Sequence, residues 1–156
     1  MKKTNALREL DRAKIPYGTR EYAVDENDLS ATSVALKTGE DLARVFKTLV
    51  LTDEKREMLV ACIPGADSVD LKKLAKAAGV KRVEMLPLKD LFPMTGYLRG
   101  GCSPVGITKR HRTFLHESAL RHEKILVSAG LRGLQAELSP KDLAAHLQAV
   151  CADIVL

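Results

Sequence analysis

Several features that mark other classes of protein are scarce or absent in this sequence. It has no tryptophan, only three tyrosines and three phenylalanines, which gives little basis for a surface on which single-stranded bases stack. No segment approaches the roughly 18–20 consecutive apolar residues that a membrane span requires. Residues 1–5 lead into a charged, amphipathic segment instead of an apolar leader. We therefore expect a cytoplasmic protein with no membrane partner.

Patterns for disulfides and metal ions are also missing. The odd number of cysteines and their wide spacing argue against disulfides and structural zinc; they are Cys62, Cys102 and Cys151. His116 and Glu117 begin like a metalloprotease HExxH helix, but Leu120 stands where the second histidine is required. We expect neither a metal site nor another cofactor.

The overall composition fits one globular domain spanning residues 1–156. The 156 residues are 46% hydrophobic and 29% charged, and a chain of about 150 residues buries roughly 68–70% of its unfolded surface. Lysine and arginine number 25 against 20 acidic residues, giving a net charge of +5. This excess favours a polyanionic partner, although many basic proteins bind no nucleic acid.

Hydrophobic periodicity and capping residues predict helices and strands that alternate irregularly. Predicted helices cover 4–14 with Thr4 as N-cap, 30–39, 68–78 with Ser68 as N-cap, 88–94 and 139–150. Predicted strands cover 17–24, 45–52, 57–63, 81–85, 113–116, 124–128, 134–138 and 154–156, the second and third forming a hairpin. The fold class is α+β: a mixed, mostly antiparallel sheet curled into a partly closed barrel with flanking helices.

Lys47 is the first candidate for chemistry. Period-two spacing in the predicted strand 45–52 places it on one face with Val45, Leu49 and Leu51. A lysine among aliphatic side chains is a functional candidate if it borders a cavity. Alternatively, its ammonium group reaches water along its aliphatic stem.

Residues 95–106 form a glycine-rich loop with four glycines and one proline. Its main-chain N–H groups are suited to holding a carbonyl oxygen, an oxyanion or a phosphate, but the spacing is not that of a P-loop. A tight connection without a ligand explains the same composition. Cys102 in this loop also permits a thiol hydrolase with a histidine base, the candidates being His111, His116 and His122.

Basic residues are concentrated directly after this loop. Lys109, Arg110 and Arg112 are the best candidates for contact with a nucleic-acid backbone. A second basic group at Lys72, Lys73 and Lys76 is explained equally well by a solvated helix face.

Three motifs together resemble the YbaK family of aminoacyl-tRNA deacylases, over essentially the whole chain. They are FKTL at 46–49, GYLRGGCSPVG at 96–106, and LVSAG at 126–130 followed by RGL at 132–134. The resemblance implies a trans-editing enzyme that removes cysteine mischarged on proline tRNA, acting either on the free product or together with prolyl-tRNA synthetase. The binding free energies of two small side chains in a synthetase's hydrophobic pocket differ by only about 1–3 kcal/mol. A synthetase that accepts the wrong amino acid therefore needs a second, editing site that removes it.

The same resemblance assigns roles to residues. Lys47 is the essential polar group, Gly100 and Gly101 surround the ester, and three residues fall at pocket positions, namely Tyr22, Thr48 and Ser128. The family is thought to use the substrate's own thiol, which attacks the ester carbonyl and leaves as a cyclic thiolactone. Leu29 stands where relatives often carry phenylalanine, so deacylation of another small residue such as alanine stays open. So does a non-catalytic module that binds tRNA or a synthetase.

Overall fold

Five helices and eight strands make up the fold of the computed structural model, which describes residues 3–156. The helices are α1 (Asn5–Arg12), α2 (Ala31–Thr38), α3 (Leu71–Ala78), α4 (Leu88–Thr95) and α5 (Pro140–Leu147). The strands are β1 (Tyr17–Glu21), β2 (Phe46–Asp53), β3 (Met58–Pro64), β4 (Val83–Met85), β5 (Arg112–His116), β6 (Ile125–Leu131), β7 (Leu134–Leu138) and β8 (Val150–Ala152). Two short 3-10 helices lie at Leu42–Arg44 and Glu117–Arg121. Met1 and Lys2, the start of the charged N-terminal segment, lie outside the described residues.

Helix ends follow the capping residues in the sequence. The hydroxyls of Thr4, Ser30 and Ser139 accept hydrogen bonds from the first turns of α1, α2 and α5. The prediction of Ser68 as the cap of α3 is wrong. Asp70 caps this helix instead, because its carboxylate accepts from the N–H groups of both Lys72 and Lys73.

The strands form two sheets. One has the order β4-β2-β3-β5-β8 and the other β1-β7-β6. Four of the six pairings are antiparallel and two, β3 with β5 and β5 with β8, are parallel. The mixed, mostly antiparallel character and the hairpin of β2 and β3 are therefore confirmed.

The predicted closing strand at 154–156 is wrong. Helix α5 ends at Leu147, and Gln148 follows in the left-handed conformation with φ 52°. Extended backbone therefore begins early enough for Val150–Ala152 to pair with β5. Further on, Val155 forms an isolated bridge with Val69.

The predicted partly closed barrel is not confirmed, because the ladders of hydrogen bonds leave two separate sheets. An isolated parallel bridge between Val45 and Leu126 links them. Strand β4 pairs with β2 only from Leu51 to Asp53, so it leaves the edge of β2 from Phe46 to Leu49 uncovered. This uncovered edge faces the gap in which the candidate site lies.

The buried core fixes the position of both sheets. Helix α1 packs with β6 and β7 in one cluster, and α3 packs with β2, β3 and β5 in another. A smaller cluster beneath the glycine-rich loop contains Val50, Met58, Tyr97 and Cys102. Across residues 3–156, no helix combines the length and apolar content needed to cross a bilayer.

Candidate functional site

A cavity of about 660 Å³ opens between the two sheets. Its walls come from the uncovered part of β2, from β6 and β7, from loop residues 27–31, from the glycine-rich loop and from the start of α4. Six predicted site residues line it: Tyr22, Leu29, Lys47, Thr48, Gly100 and Ser128. Gly101, Lys109, Arg110 and Arg112 do not.

Lys47 lies in the cavity wall contributed by β2 and is partly buried. Among residues 3–156 its ammonium group has neither a hydrogen-bond partner nor an ion pair within contact distance. A lysine ammonium carries three donors and no acceptor. Its donors are therefore free for an oxygen atom of a ligand in the cavity.

The main chain of β2 also faces this gap. Leu86 N–H donates to the carbonyl of Val50 over 2.9 Å. The main-chain N–H and C=O groups of Val50 therefore point away from β3, toward the side on which β4 lies. Hydrogen-bonding groups alternate in direction along a strand. The N–H and C=O groups of Thr48 therefore point to the same, uncovered side and toward the cavity.

Two residues that line the cavity have buried side-chain oxygens. Oε1 of Gln135 forms no hydrogen bond with any residue in the described part of the chain, whereas the Thr48 hydroxyl lies beside the thiol of Cys62, its partner in the β2–β3 pairing. An unpaired buried polar group costs about 1–3 kcal/mol. The Gln135 oxygen is therefore suited to receive a hydrogen-bond donor from a ligand once its terminal amide rotates toward the cavity.

The sequence analysis missed Gln135. Its neighbours Leu134, Ala136 and Leu138 point into the core, so period-two alternation in β7 indicates an outward, solvated glutamine. In the structure Gln135 is only 5% exposed, because that face of β7 borders the cavity. The pairing of Gln135 with Ser128 across β6 and β7 is the signal that could have found it.

Ser128 owes its place to a β-bulge. The register of β6 against β7 shifts between Ser128 and Leu131, and Gly130 in this stretch has φ 102°. The Ser128 hydroxyl accepts a hydrogen bond from Gly130 N–H over 3.1 Å. The bulge thus fixes the hydroxyl at the cavity wall.

Local hydrogen bonds shape the loop that carries Leu29. The carboxylates of Asp25 and Asp28 accept from the N–H groups of Asn27 and Ser30, respectively. The hydrogen bonds from Ser30 lower the pKa of Asp28, which lines the cavity as a carboxylate. Leu29 then lies against Gly100, and the two loops meet at one wall.

Gly101 supports the glycine-rich loop from outside the cavity. A β-carbon at Gly101 would lie 3.0 Å from the backbone nitrogen of Arg132, so only glycine allows the loop to approach the β6–β7 turn this closely. Arg132 Nε donates to the carbonyl of Arg99 over 2.7 Å. The buried Tyr97 hydroxyl donates to the carbonyl of Val105 and ties the far end of the loop.

Cys102 lines the cavity but lacks the features of a nucleophile. Burial raises the pKa of its thiol to about 12, against the opposing effect of a hydrogen bond with Thr95. Its side chain forms no hydrogen bond with a histidine among residues 3–156. A thiol with this pKa is protonated at neutral pH, so the thiol-hydrolase alternative finds no support here.

The predicted basic residues lie outside the cavity, and only some of them have side chains that the protein leaves free. Lys109 and Arg110 are exposed. Arg112 donates to the carbonyl of Ala78 over 2.8 Å and lies 5.2 Å from the ring centre of Phe114, so its guanidinium group already holds the end of α3. Arg99, which the sequence analysis did not select, is exposed and lines the cavity.

Potential metal ligands are dispersed. Within the described residues, no three His, Cys, Asp or Glu side chains are grouped so that they could hold an ion.

Comparison with known proteins gives a consistent set of relatives. Residues 26–145 match the family model described as the aminoacyl-tRNA editing domain. The chain is 53% identical over 139 residues to a protein of Enterococcus faecalis (strain ATCC 700802 / V583) with the provisional name Cys-tRNA(Pro)/Cys-tRNA(Cys) deacylase EbsC, covering 89% of this chain and 85% of that protein.

Solved structures show the same fold. The hypothetical protein APE2540 has a TM-score of 0.89 and 20% identity, over 98% of this chain and all (100%) of that one. A crystal structure provisionally assigned as a trans-editing enzyme for prolyl tRNA synthetase has a TM-score of 0.82 and 21% identity, over 100% of this chain and 99% of the other. At these identities the likeness concerns the fold.

Proposed function

Because the chain belongs to the family of aminoacyl-tRNA editing domains, we propose that it removes cysteine mischarged on proline tRNA. The provisional name of its Enterococcus faecalis relative supports cysteinyl-tRNA as the substrate. The observation that carries the proposal is the unpaired Lys47 ammonium in the wall of a cavity of about 660 Å³. This volume falls within the range of about 300–1,000 Å³ that is typical of ligand sites.

The proposed reaction needs no nucleophile from the protein. The substrate thiol attacks the ester carbonyl, a C–S bond forms, the ester C–O bond breaks, and the thiol proton passes to the terminal ribose oxygen. The products are a cyclic thiolactone and free tRNA. The protein must hold the thiol near the carbonyl and stabilise the negative charge that develops on oxygen.

Residues of the cavity divide these tasks. Lys47 stabilises the developing charge, and the main chain at Gly100 contacts the carbonyl oxygen or the terminal ribose. Tyr22, Leu29, Thr48 and Ser128 shape the pocket for the aminoacyl group. Gly101 acts indirectly, since its contacts hold the loop against Arg132.

The tRNA contacts lie beyond the cavity in this proposal. Exposed Lys109 and Arg110 bind the phosphate backbone, while Arg112 contributes charge from its fixed position at the end of α3. Prolyl-tRNA synthetase is the proposed partner and the cytoplasm the proposed compartment. Residues 1–156 act as one domain whose two sheets form a partly closed barrel around the cavity.

Deacylation rates on cysteinyl-, alanyl-, seryl- and prolyl-tRNA(Pro) test the proposal. We expect cysteinyl-tRNA(Pro) to be cleaved fastest. Lys47→Ala should lower its rate by about 10²–10³-fold, the effect of removing one charge-stabilising donor. Lys55→Ala, in the exposed turn between β2 and β3, is the matched control and should retain the wild-type rate.

Three results would contradict the proposal. Near-normal turnover by folded Lys47→Ala would remove Lys47 from the mechanism. Fastest cleavage of alanyl-tRNA(Pro) would make this an alanine deacylase, the alternative left open by Leu29 at a position where relatives often carry phenylalanine. Equal stability of every charged tRNA with and without the protein would leave only a binding module.

A further inference from the structure

The unpaired Gln135 oxygen marks a second polar position in the cavity, on the opposite sheet from Lys47. Gln135 is only 5% exposed, lines the cavity, and has no partner for Oε1 within residues 3–156. It lies on β7 of the three-stranded sheet, whereas Lys47 lies on β2 of the five-stranded sheet. Rotation of the terminal amide of Gln135 brings this oxygen to the cavity, so that an acceptor on one wall can face the Lys47 donor on the other.

Neighbouring atoms strengthen the acceptor character of this wall. Ser128, paired with Gln135 in the sheet, already uses its hydroxyl oxygen to accept from Gly130 N–H, while one lone pair of that oxygen remains. No lysine or arginine side chain among the described residues forms a hydrogen bond with Gln135.

A ligand group that satisfies this wall must donate hydrogen bonds and gain from separation from the Lys47 ammonium. The α-ammonium group of an aminoacyl ester has both properties, because it carries donors only and is positively charged. The ester carbonyl has the opposite character and belongs near Lys47. The two walls therefore fix one orientation of the substrate across the gap.

We infer that Gln135 is a positioning residue whose Oε1 accepts a hydrogen bond from the substrate's α-ammonium group. The inference rests on the proposed deacylase activity and adds a requirement to it. Aminoacyl esters with a free α-amine are recognised, and esters without that amine lose the contact. The enzyme thereby distinguishes an aminoacyl-tRNA from an acyl-tRNA that has the same thiol.

A cycle with two enzymes and two substrates tests this requirement. The substrates are cysteinyl-tRNA(Pro) and 3-mercaptopropionyl-tRNA(Pro), which keeps the thiol and lacks only the amine. Each rate is divided by the uncatalysed rate of the same ester, which removes the effect of the amine on intrinsic reactivity. The enzymes are the wild type and Gln135→Met, which keeps the length of the side chain without its acceptor.

We expect the wild type to prefer the cysteinyl ester by at least about tenfold, the effect of a lost hydrogen bond to a charged group. Gln135→Met should slow cleavage of the cysteinyl ester and leave cleavage of the mercaptopropionyl ester nearly unchanged. The ratio of the two normalised rates should therefore fall toward one. Gln148→Met, the same change at an exposed position outside the cavity, should keep the wild-type preference. Gln135→Glu, which retains an acceptor, should also keep it.

Two outcomes would overturn the inference. One is a wild-type enzyme that accelerates both esters equally. The other is a Gln135→Met variant that slows both esters by the same factor, as a purely structural role would. If Gln135→Met does not fold, Gln135→Asn, which withdraws the amide by one methylene group, takes its place in the same cycle. A wild type that accelerates neither ester refutes the deacylase proposal itself.

Discussion

The Cδ1 atom of Leu29 lies 3.2 Å from the position that a β-carbon on Gly100 would occupy. The backbone of Gly100 also has φ +83°, a value that residues with a side chain rarely adopt. Two loops far apart in sequence therefore meet where one residue has no side chain. The contact closes one wall of the cavity and makes both residues sensitive to changes in size.

Replacing Gly100 by alanine should damage the site through this contact. We expect Gly100→Ala to lower kcat/KM for cysteinyl-tRNA(Pro) by tenfold or more, because the new methyl group pushes Leu29 out of the wall. Gly79→Ala is the control: it has φ +70° and no atom within 4 Å of the new carbon. Both variants should lose about 1 kcal/mol of stability through backbone strain, measured by urea unfolding. Equal kcat/KM for both variants would show that the contact between Leu29 and Gly100 does not matter for the reaction.

The size of Leu29 should control which amino acid enters. Leu29→Ala enlarges the cavity, so cleavage of homocysteinyl-tRNA(Pro), whose longer side chain keeps the thiol that the proposed reaction requires, should rise relative to cysteinyl-tRNA(Pro) by about tenfold. Leu29→Phe should lower the same ratio. Both rate ratios are measured with these two charged tRNAs. An unchanged ratio in both variants would remove Leu29 from specificity.

Cys102 should be dispensable for chemistry and slow to react. Cys102→Ser should retain at least about a third of wild-type kcat/KM, because the proposed route uses the substrate's thiol. Since burial raises the Cys102 thiol pKa to about 12, alkylation by iodoacetamide at pH 8 should be much slower than after unfolding in urea. Loss of activity in folded Cys102→Ser would revive the thiol-hydrolase alternative.

Glu137 should make stability depend on acid pH. It forms ion pairs with Arg20 and Arg44, and the hydrogen bond from Arg44 holds its pKa below the usual 4.5. A carboxylate with a lowered folded-state pKa contributes stability that is full above its unfolded pKa and is lost as pH falls through the folded value.

Glu137→Gln should therefore cost about 1–2 kcal/mol at pH 7, and the difference from wild type should vanish below the folded-state pKa, at acid pH. Urea unfolding at several pH values measures both. Glu123→Gln, at an exposed position in the same surface depression as Arg44 and Glu137, should change stability by less than about 0.5 kcal/mol. A constant difference at every pH would contradict the role of this ion pair.

Lys109 and Arg110 should contribute salt-dependent affinity for tRNA. Replacing both by alanine should weaken binding and reduce the magnitude of the slope of log K against log salt by about 1.4–1.8, the value for two lost phosphate contacts. Lys72→Ala with Lys76→Ala, on the exposed face of α3, is the control with the same loss of charge. If both double variants change the slope equally, only net charge matters.

Much of the fold could be predicted because local signals and tertiary structure agree. Capping hydroxyls such as Thr4 and the alternating apolar residues of β2 and β3 act over a few residues, and all are confirmed. Family membership, read from the FKTL, GYLRGGCSPVG and LVSAG motifs, is confirmed as well. The cap at Asp70 and the strand at Val150 were missed because several neighbouring residues fit each pattern, and long-range pairing selected among them.

The site was predicted less completely, for a different reason. Lys47 stands out because a charge interrupts an apolar strand. Gln135 has the ordinary pattern of a solvated strand residue, and only the gap between the two sheets buries it. Gly101 matches the family's loop, yet its contact with Arg132 serves the shape of that loop. Burial created by distant segments leaves no local trace in a sequence.

The position of Lys47 and the choice of acyl group depend on different parts of this fold. Lys47 is held by a strand that is hydrogen-bonded along its length to β3, whereas Leu29 and Gly100 belong to loops outside both sheets. Substitutions in those loops can therefore remodel which acyl group is admitted without displacing the amine. Selectivity in such a scaffold can drift between thiol-bearing acyl groups of different size while Lys47 stays in place.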